Sequence, residues 1–338
     1  MLNKTNGAIL ADVAREAGVS LKTASRVLNN APVAEATAKK VRAAMALLDY
    51  KPNEMARRLK GKRSAAIGMV VPNLADPFNA AAMHAVQEVA REKGHVVIIT
   101  SSEGKEELER EQLESLVSRQ VDGLIIAPSD GRINTAGCFL SANIPVVAFD
   151  RPMLGANIDS ITVSNLDAVR EATEHLLSHG YRRILAIGSR SYLYTGSERV
   201  AGYISTMDRA RLKRETLLVE SESEITPERL RPFFEDRTNK IDAVIALNGT
   251  TTMAVLRALR NLGIVVGTDT ALISFDDFEL AEVLTPRLTV VRQPAAELGR
   301  RAAELLFSRI LGVKALPPQQ ITLPTTFLIR ESCGCNRQ

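Results

Sequence analysis

At 338 residues, 45% apolar and 24% charged, the chain is long enough for more than one hydrophobic core and has a globular rather than a disordered balance. No apolar run reaches the roughly 20 residues needed to cross a bilayer, and the N-terminus, polar until Ala8, lacks the apolar block of a signal peptide, so a cytoplasmic protein is expected. Charge is uneven: residues 1–63 carry seven Lys and six Arg against five acidic residues, a net +8 that leaves −4 on the rest, which suits a head that alone meets a polyanion.

The stretch Asp12-Val13-Ala14-Arg15-Glu16-Ala17-Gly18-Val19-Ser20 runs one short helical pattern into a glycine-centred turn and a second, capped helix. Val13, Ala14 and Ala17 give the first helix an apolar face, Gly18 permits the tight turn, and the Ser20 hydroxyl can cap a helix from Ser20 to Leu28. On that second helix Ala24, Val27 and Leu28 turn inward, while Leu21, Lys22, Ser25, Arg26 and Asn29 face out, where they could read a major groove. A third helix, about Glu35 to Leu48, closes a small core with Val41, Ala44, Met45 and Leu48, and Tyr50-Lys51-Pro52 ends it. The amphipathic segment Asn53 to Leu59 that follows is too short to be stable alone and would fold only on a partner.

From Ala65 the pattern changes to buried strands alternating with helices. Strands are predicted at Ala66 to Val71, Val96 to Thr100, Leu124 to Ala127 and Val146 to Phe149, then again at Ile184 to Ile187, Leu217 to Val219, Ala243 to Leu247 and Leu272 to Phe275. Two parallel-sheet domains result. Ligands of such sheets lie beyond the carboxyl ends of the strands, so Asn73 and Asp76, Asp150 and Arg151, Asn248, and Asp276 and Asp277 are candidate contacts.

Cys138, Cys333 and Cys335 are too few and badly placed for a disulfide framework, and Cys333-Gly334-Cys335 lacks the further ligands a zinc site needs, so reduced, structurally minor thiols are expected. His175 and His179 have metal-compatible helical spacing, but no neighbouring carboxylate completes a hydrolytic motif, and exposed helix histidines are expected. No metal, cofactor or catalytic residue is assigned.

Several ordered segments resemble one family, the LacI/GalR transcription regulators: Asp12 to Ser20, Thr23-Ala24-Ser25-Arg26-Val27-Leu28-Asn29, Tyr50-Lys51-Pro52-Asn53, Val121-Asp122-Gly123-Leu124-Ile125, Phe275-Asp276-Asp277, Leu288-Thr289-Val290-Val291-Arg292-Gln293-Pro294 and Arg330-Glu331-Ser332-Cys333-Gly334. The resemblance implies an N-terminal all-α helix-turn-helix head and an α/β periplasmic-binding-protein-like core of two doubly wound parallel-sheet subdomains. The implied division is a DNA-binding domain at 1–51, a hinge helix and linker at 52–63, and an effector-binding and dimerisation core at 64–338. Within that core, the N-subdomain takes about 64–163 plus 291–323 and the C-subdomain about 164–290 plus 324–338.

By the same resemblance, a homodimer inserts two recognition helices into a pseudo-palindromic double-stranded operator, with Leu21, Lys22 and Arg26 reading bases, Ser25 on the same DNA-binding face and Asn29 near phosphate. Asn53, Ala56 and Leu59 fall in the family's hinge helix, Leu59 wedging into the central base step, which must then deform easily. Asp150, Arg199, Asn248, Asp276 and Gln293 align with the family's effector contacts, where forked donors facing carboxylates suit a sugar or sugar acid, and Asn73, Asp76, Phe78 and Arg151 are placed at the same cleft beside the strand ends. No membrane contact is implied, and with no leucine heptad after Cys335 a dimer is expected rather than a coiled-coil tetramer.

The chain departs from the family pattern in several places. Ile9 and Ala34 stand where residues that cap the first and third helices usually occur, which should cost the head about 0.5 to 2 kcal/mol each. Gly249 replaces an Asp, and Ile225 sits near a usual cleft aromatic. Arg151 beside Arg199 leans the ligand toward an anion. Two other functions fit the sequence less well. An α/β enzyme acting on a sugar-like substrate finds no Gly-x-Ser-x-Gly elbow, P-loop or Gly-x-Gly-x-x-Gly after the first strand, and a secreted solute-binding protein finds no signal peptide.

Overall fold

In the computed structural model the chain is described at residues 8–28, 31–50, 64–131, 133–189, 192–235, 240–312 and 317–335. These fall into two compact units that meet in sequence at Ser64 and Ala65. No helix among them is long and apolar enough to cross a membrane.

The first unit is built from α1 (Leu10–Glu16), α2 (Leu21–Leu28) and α3 (Glu35–Leu47). Val13, Ala14, Ala24, Val27, Ala38, Val41 and Ala44 close one small core, as helical spacing requires, with Leu10, Met45 and Leu48 packed around it. Gly18 takes φ +64°, a left-handed turn open to glycine without strain. Ser20 lies just outside α2 and caps it, its Oγ accepting from the Thr23 N–H at 3.1 Å. Ile9 offers no capping oxygen, but Asp12 reaches back to accept its N–H at 3.1 Å, so one orphan donor of α1 is satisfied from inside the helix. Ala34 leaves α3 without a side-chain cap.

In the second unit β1 (Ala66–Val71), α4 (Pro77–Glu92), β2 (Val96–Ser101), α5 (Glu106–Ser118), β3 (Leu124–Ile126), α6 (Gly137–Ser141), β4 (Val146–Asp150) and β5 (Asp159–Val163) form a first lobe. The second lobe comprises α7 (Asn165–Ser178), β6 (Ile184–Ser189), α8 (Tyr194–Arg209), β7 (Glu215–Val219), α9 (Pro227–Glu235), β8 (Ala243–Ala246), α10 (Gly249–Asn261), β9 (Ala271–Phe275) and β10 (Thr289–Arg292). The chain then returns to the first lobe as α11 (Ala295–Ile310) and β11 (Gln320–Leu323), and crosses back as β12 (Thr326–Leu328).

The sheet orders are β11-β5-β4-β3-β1-β2 and β12-β10-β9-β8-β6-β7. All pairings are parallel except β12, which runs antiparallel to β10 along the second sheet's edge. Strands β1, β4, β6, β8 and β9 are buried along their whole length, which is why they read as continuous apolar runs rather than alternating ones. Beyond the eight predicted strands lie β5, β10, β11 and β12, of which β5 and β10 carry polar residues at buried positions such as Asp159, Ser160 and Thr289.

Helices α4 and α11 touch closely because Gly299 lies against the Ala82 carbonyl, leaving no room for a Cβ. In the same way Gly202 of α8 lies against the Leu166 carbonyl of α7. The chain passes between the two sheets three times, at Ser164, at Gln293-Pro294 and between β11 and β12.

Candidate functional site

The carboxyl ends of strands from both sheets converge on a single cavity of about 540 Å³. Each of the nine residues placed at a cleft by the sequence lines it: Asn73, Asp76 and Phe78 after β1, Asp150 and Arg151 at the end of β4, Arg199 on α8, Asn248 after β8, Asp276 after β9 and Gln293 after β10. Asp277, also picked as a strand-end residue, belongs elsewhere. Its carboxylate pairs with Arg292 at 2.6 Å and Arg330 at 3.1 Å. Burial alone would raise its pKa, but hydrogen bonds from those two guanidinium groups outweigh it and hold the carboxyl below the usual range.

Arg199 is the buried centre of the site. Its Nε donates to Asn165 Oδ1 at 2.8 Å and its Nη1 to the Leu247 carbonyl at 2.8 Å, while the guanidinium lies 3.6 Å over the Phe275 ring. Nη2 has no hydrogen-bond partner among the described residues, so one donor edge of a fixed fork remains for a ligand. Burial pulls this guanidinium's pKa down, and the nearby Asp276 and Asp150 carboxylates oppose that shift.

Asp276 and Asp150 both adopt left-handed backbone, φ +77° and +67°, at the point where the chain leaves its strand. Aspartate tolerates that conformation better than most residues, and strain of this kind concentrates where side chains are aimed at a ligand. Asp276 accepts from Gln293 Nε2 at 2.6 Å and from the Gly249 N–H at 3.1 Å. Gly249 thus suits its position: an added Cβ would lie 3.5 Å from the Asp276 Cβ, and an Asp there would set two carboxylates together. The Oε1 of Gln293 is buried and has no protein partner among the described residues, leaving an acceptor to be satisfied by a hydroxyl or water.

Asp76 caps α4 by accepting the Phe78 N–H at 2.9 Å. Burial, helped by the like charge of Asp276, pushes its pKa up from 3.8 to about 6. Arg151 is paired with its neighbour, its Nε and Nη2 both donating to Asp150 Oδ2 at 3.0 and 2.9 Å. Asn248 caps α10 by accepting the Thr251 N–H at 2.7 Å and donates to Ser189 Oγ at 3.2 Å, which in turn donates to Glu222 at 2.7 Å.

The wall therefore carries five carboxylates, of Asp76, Glu103, Asp150, Glu222 and Asp276, against the two guanidinium groups of Arg151 and Arg199. That surplus, with Arg151 neutralised, runs against the anionic ligand read from the Arg pair. It suits hydroxyl groups, which can donate to carboxylates and accept from Arg199. Sequence reasoning missed Asn165, Ser189, Glu222 and Thr250; only their positions beside strand ends marked them. Ile225, expected near the cleft, packs instead in the second lobe's core.

In the head, Leu21, Lys22 and Arg26 are exposed on α2 and Ser25 is half-buried. Arg26 is not idle, since its Nη2 donates to the Pro32 carbonyl at 2.7 Å. Asn29, Asn53, Ala56 and Leu59, with the whole expected hinge helix, lie outside the described residues. One expectation is corrected in part. His179 is exposed as expected, but His175 is half-buried, and the Cys333-Gly334-Cys335 pair does not lack neighbours with lone pairs, because the Cys335 Sγ lies 3.2 Å from Nε2 of both imidazoles. Sequence proximity could not show this, as the partners are 160 and 156 positions apart.

Comparison with known proteins agrees with this architecture. The family described as bacterial regulatory proteins, lacI family, matches residues 9–53, and the periplasmic binding protein-like domain matches residues 173–333. The HTH-type transcriptional regulator KdgR of Bacillus subtilis (strain 168) is 31% identical over 339 residues, covering 98% of this chain and 100% of that one. The Lac repressor dimer bound to operator and the anti-inducer ONPF superposes with a TM-score of 0.84 at 26% identity, covering 97% of this chain and 99% of that one. The transcriptional regulator CelR in complex with cellobiose gives a TM-score of 0.70 at 29% identity, covering 96% and 99%.

Proposed function

The chain belongs to the LacI family of bacterial regulatory proteins and is a helix-turn-helix transcriptional regulator, and from that premise we propose which surfaces carry its two binding functions. The exposed face of α2 reads the major groove through Leu21, Lys22, Ser25 and Arg26, with Arg26 exchanging its Pro32 carbonyl for a base edge. Two heads in a homodimer meet the halves of a near-symmetrical operator, a reading supported by the similar Lac repressor binding its operator as a dimer. The protein works in the cytoplasm as a binder rather than an enzyme, a reading supported by its relatives being transcriptional regulators.

The cavity between the lobes binds a sugar. The observation that carries this reading is that Arg199 and Asp276 line the same cavity, in a wall rich in carboxylates, with the empty acceptor Gln293 Oε1 also in that wall. Ring hydroxyls would donate to Asp150, Asp276 and Gln293 and accept from Arg199, with Phe78 supplying an apolar face. A neutral sugar fits best. A sugar acid is the second reading, favoured by the unused Nη2 of Arg199, where a single carboxylate could dock. The cellobiose complex of the related CelR supports sugar as the class.

Binding changes operator affinity because the ligand touches both lobes and the Gln293 crossover between them. A differential of about 1 to 3 kcal/mol between two lobe arrangements would alter affinity roughly 5- to 150-fold, in either direction. A thermal-shift screen of neutral sugars, sugar acids and nucleosides tests the assignment, since a cleft ligand stabilises by mass action. A shift confined to sugars supports it, and one confined to nucleosides removes it.

A further inference from the structure

We propose that His175, His179, Cys333 and Cys335 form a zinc site that fastens the C-terminal segment to the end of α7. The two histidines lie one helical turn apart at the C-terminal end of α7, and the two cysteines lie past β12. The ligand atoms of His175, Cys333 and Cys335 all lie within 4.8 Å of one another. His179 joins them through its Nε2, 3.2 Å from Cys335 Sγ.

Three further observations point to an ion rather than to ordinary packing. First, Cys335 Sγ lies 2.8 Å from Cys333 Sγ and 3.2 Å from each imidazole Nε2, yet a thiol has one proton and can donate to only one of three neighbours. A cation among them would take a lone pair from each sulfur and from the facing imidazole nitrogens without needing a proton. Second, His179 Nδ1 lies 3.0 Å from the His175 carbonyl, so its proton is held there and Nε2 is left bare toward the sulfurs. Histidine ligands are commonly oriented in this way. Third, Gly334 between the cysteines has φ +82° and sits under the Tyr181 hydroxyl, where a Cβ would collide, so the loop that brings both thiols to one side needs glycine on two counts.

The ligand set is two thiolates and two imidazoles, the set that selects zinc in a closed tetrahedral site. Zinc–sulfur and zinc–nitrogen bonds of about 2.3 and 2.0 Å require ligand separations of about 3.3 to 3.8 Å, so the two sulfurs, 2.8 Å apart, must open and the His179 imidazole, outside the set of atoms mutually within 4.8 Å, must swing inward to supply the fourth bond. Each thiol gives its proton to solvent as it binds, and two thiolates then balance the ion's charge. The site lies in the second lobe, on residues that the cleft does not use.

The test uses the full chain, purified in a non-thiol reductant without a polyhistidine tag and stripped of metal. Titration with Co²⁺ should give tetrahedral d–d and thiolate charge-transfer absorption saturating at one ion per chain. Equimolar Zn²⁺ should bleach it and raise the melting temperature. Cys335→Ser and His179→Gln, at partly exposed positions, should keep the wild-type circular dichroism and weaken binding by at least about tenfold each. A chain without the thiolate band, a stoichiometry far from one, or unchanged affinity in the double variant would overturn the proposal.

Discussion

The side-chain amide of Gln293 donates to Asp276 at 2.6 Å, joining the end of β9 to the segment that carries the chain from β10 of the second lobe into α11 of the first. This bond lies in the cavity wall and on one of three crossings between the lobes. A ligand that reaches Asp276 or the empty Gln293 Oε1 therefore acts on a position about which the lobes can reorient, a hinge in the physical sense.

Changing Asp276 or the buried Arg199 that lines the same cavity should separate sensing from DNA binding. Asp276→Asn loses a charge-assisted acceptor, which would weaken sugar binding by about 1.5 to 3 kcal/mol, roughly 10- to 150-fold. Arg199→Ala should abolish the ligand-induced thermal shift and also lower the unliganded melting temperature, because the Asn165 and Leu247 oxygens lose their buried donor. Operator affinity without ligand should stay within about threefold in both variants, as judged by fluorescence anisotropy. A normal ligand response in either would remove that residue from the site.

Asp76 sets a pH dependence. A carboxyl whose folded-state pKa is raised holds its proton where the unfolded chain has lost it, so its effect on stability is absent below about 3.8 and grows unfavourable as pH rises to about 6. Asparagine keeps the cap on α4 and cannot ionise. Asp76→Asn should thus leave stability at pH 4 nearly unchanged and raise it at pH 7.5 by up to about 2 to 3 kcal/mol. Urea denaturation at the two pH values checks this, and a loss of stability at pH 7.5 would contradict it.

Gly299→Ala tests the packing that supports the first lobe. Its Cβ would overlap the Ala82 carbonyl, forcing α4 and α11 apart, at a cost of about 1 to 3 kcal/mol or more. Gly94→Ala, where nothing stands within 4 Å but φ is +70°, should cost less, about 1 kcal/mol. The order of the two effects in thermal denaturation is the readout.

In the head, Lys22→Ala and Arg26→Ala should each lose about 1 to 3 kcal/mol of discrimination at one base pair per half-site. Arg26→Ala also removes the Pro32 carbonyl's donor, so its free head should melt slightly lower than that of Lys22→Ala. Equal losses on specific and random duplexes would assign these side chains to phosphates instead.

Much of this was legible in the sequence because it depends on local patterning. The turn at Gly18, the cap at Ser20 and the apolar stripe through Ala24 and Val27 follow from helical spacing, and the buried strands β1, β4, β6, β8 and β9 declare themselves as apolar runs. Strand-end position alone brought Asp76, Asp150, Asn248 and Asp276 into view. What stayed hidden depends on distant contacts: β5 carries Asp159, buried because Arg309 pairs with it at 2.8 Å from 150 positions away. Arg151 read as a free cation because its side-chain direction toward Asp150 is not a sequence property. The His175, His179 and Cys335 grouping was invisible for the same reason, since folding, not spacing, brings it together.

The most direct test of the central claim is the affinity of the full chain for a symmetrical duplex selected from random sequence, measured with and without a sugar that raises its melting temperature. The structure predicts tight, half-site-dependent binding that the sugar changes by about 5-fold or more, with the change lost in Asp276→Asn. Identical affinity at saturating sugar, or no preference for any symmetrical duplex, would contradict it.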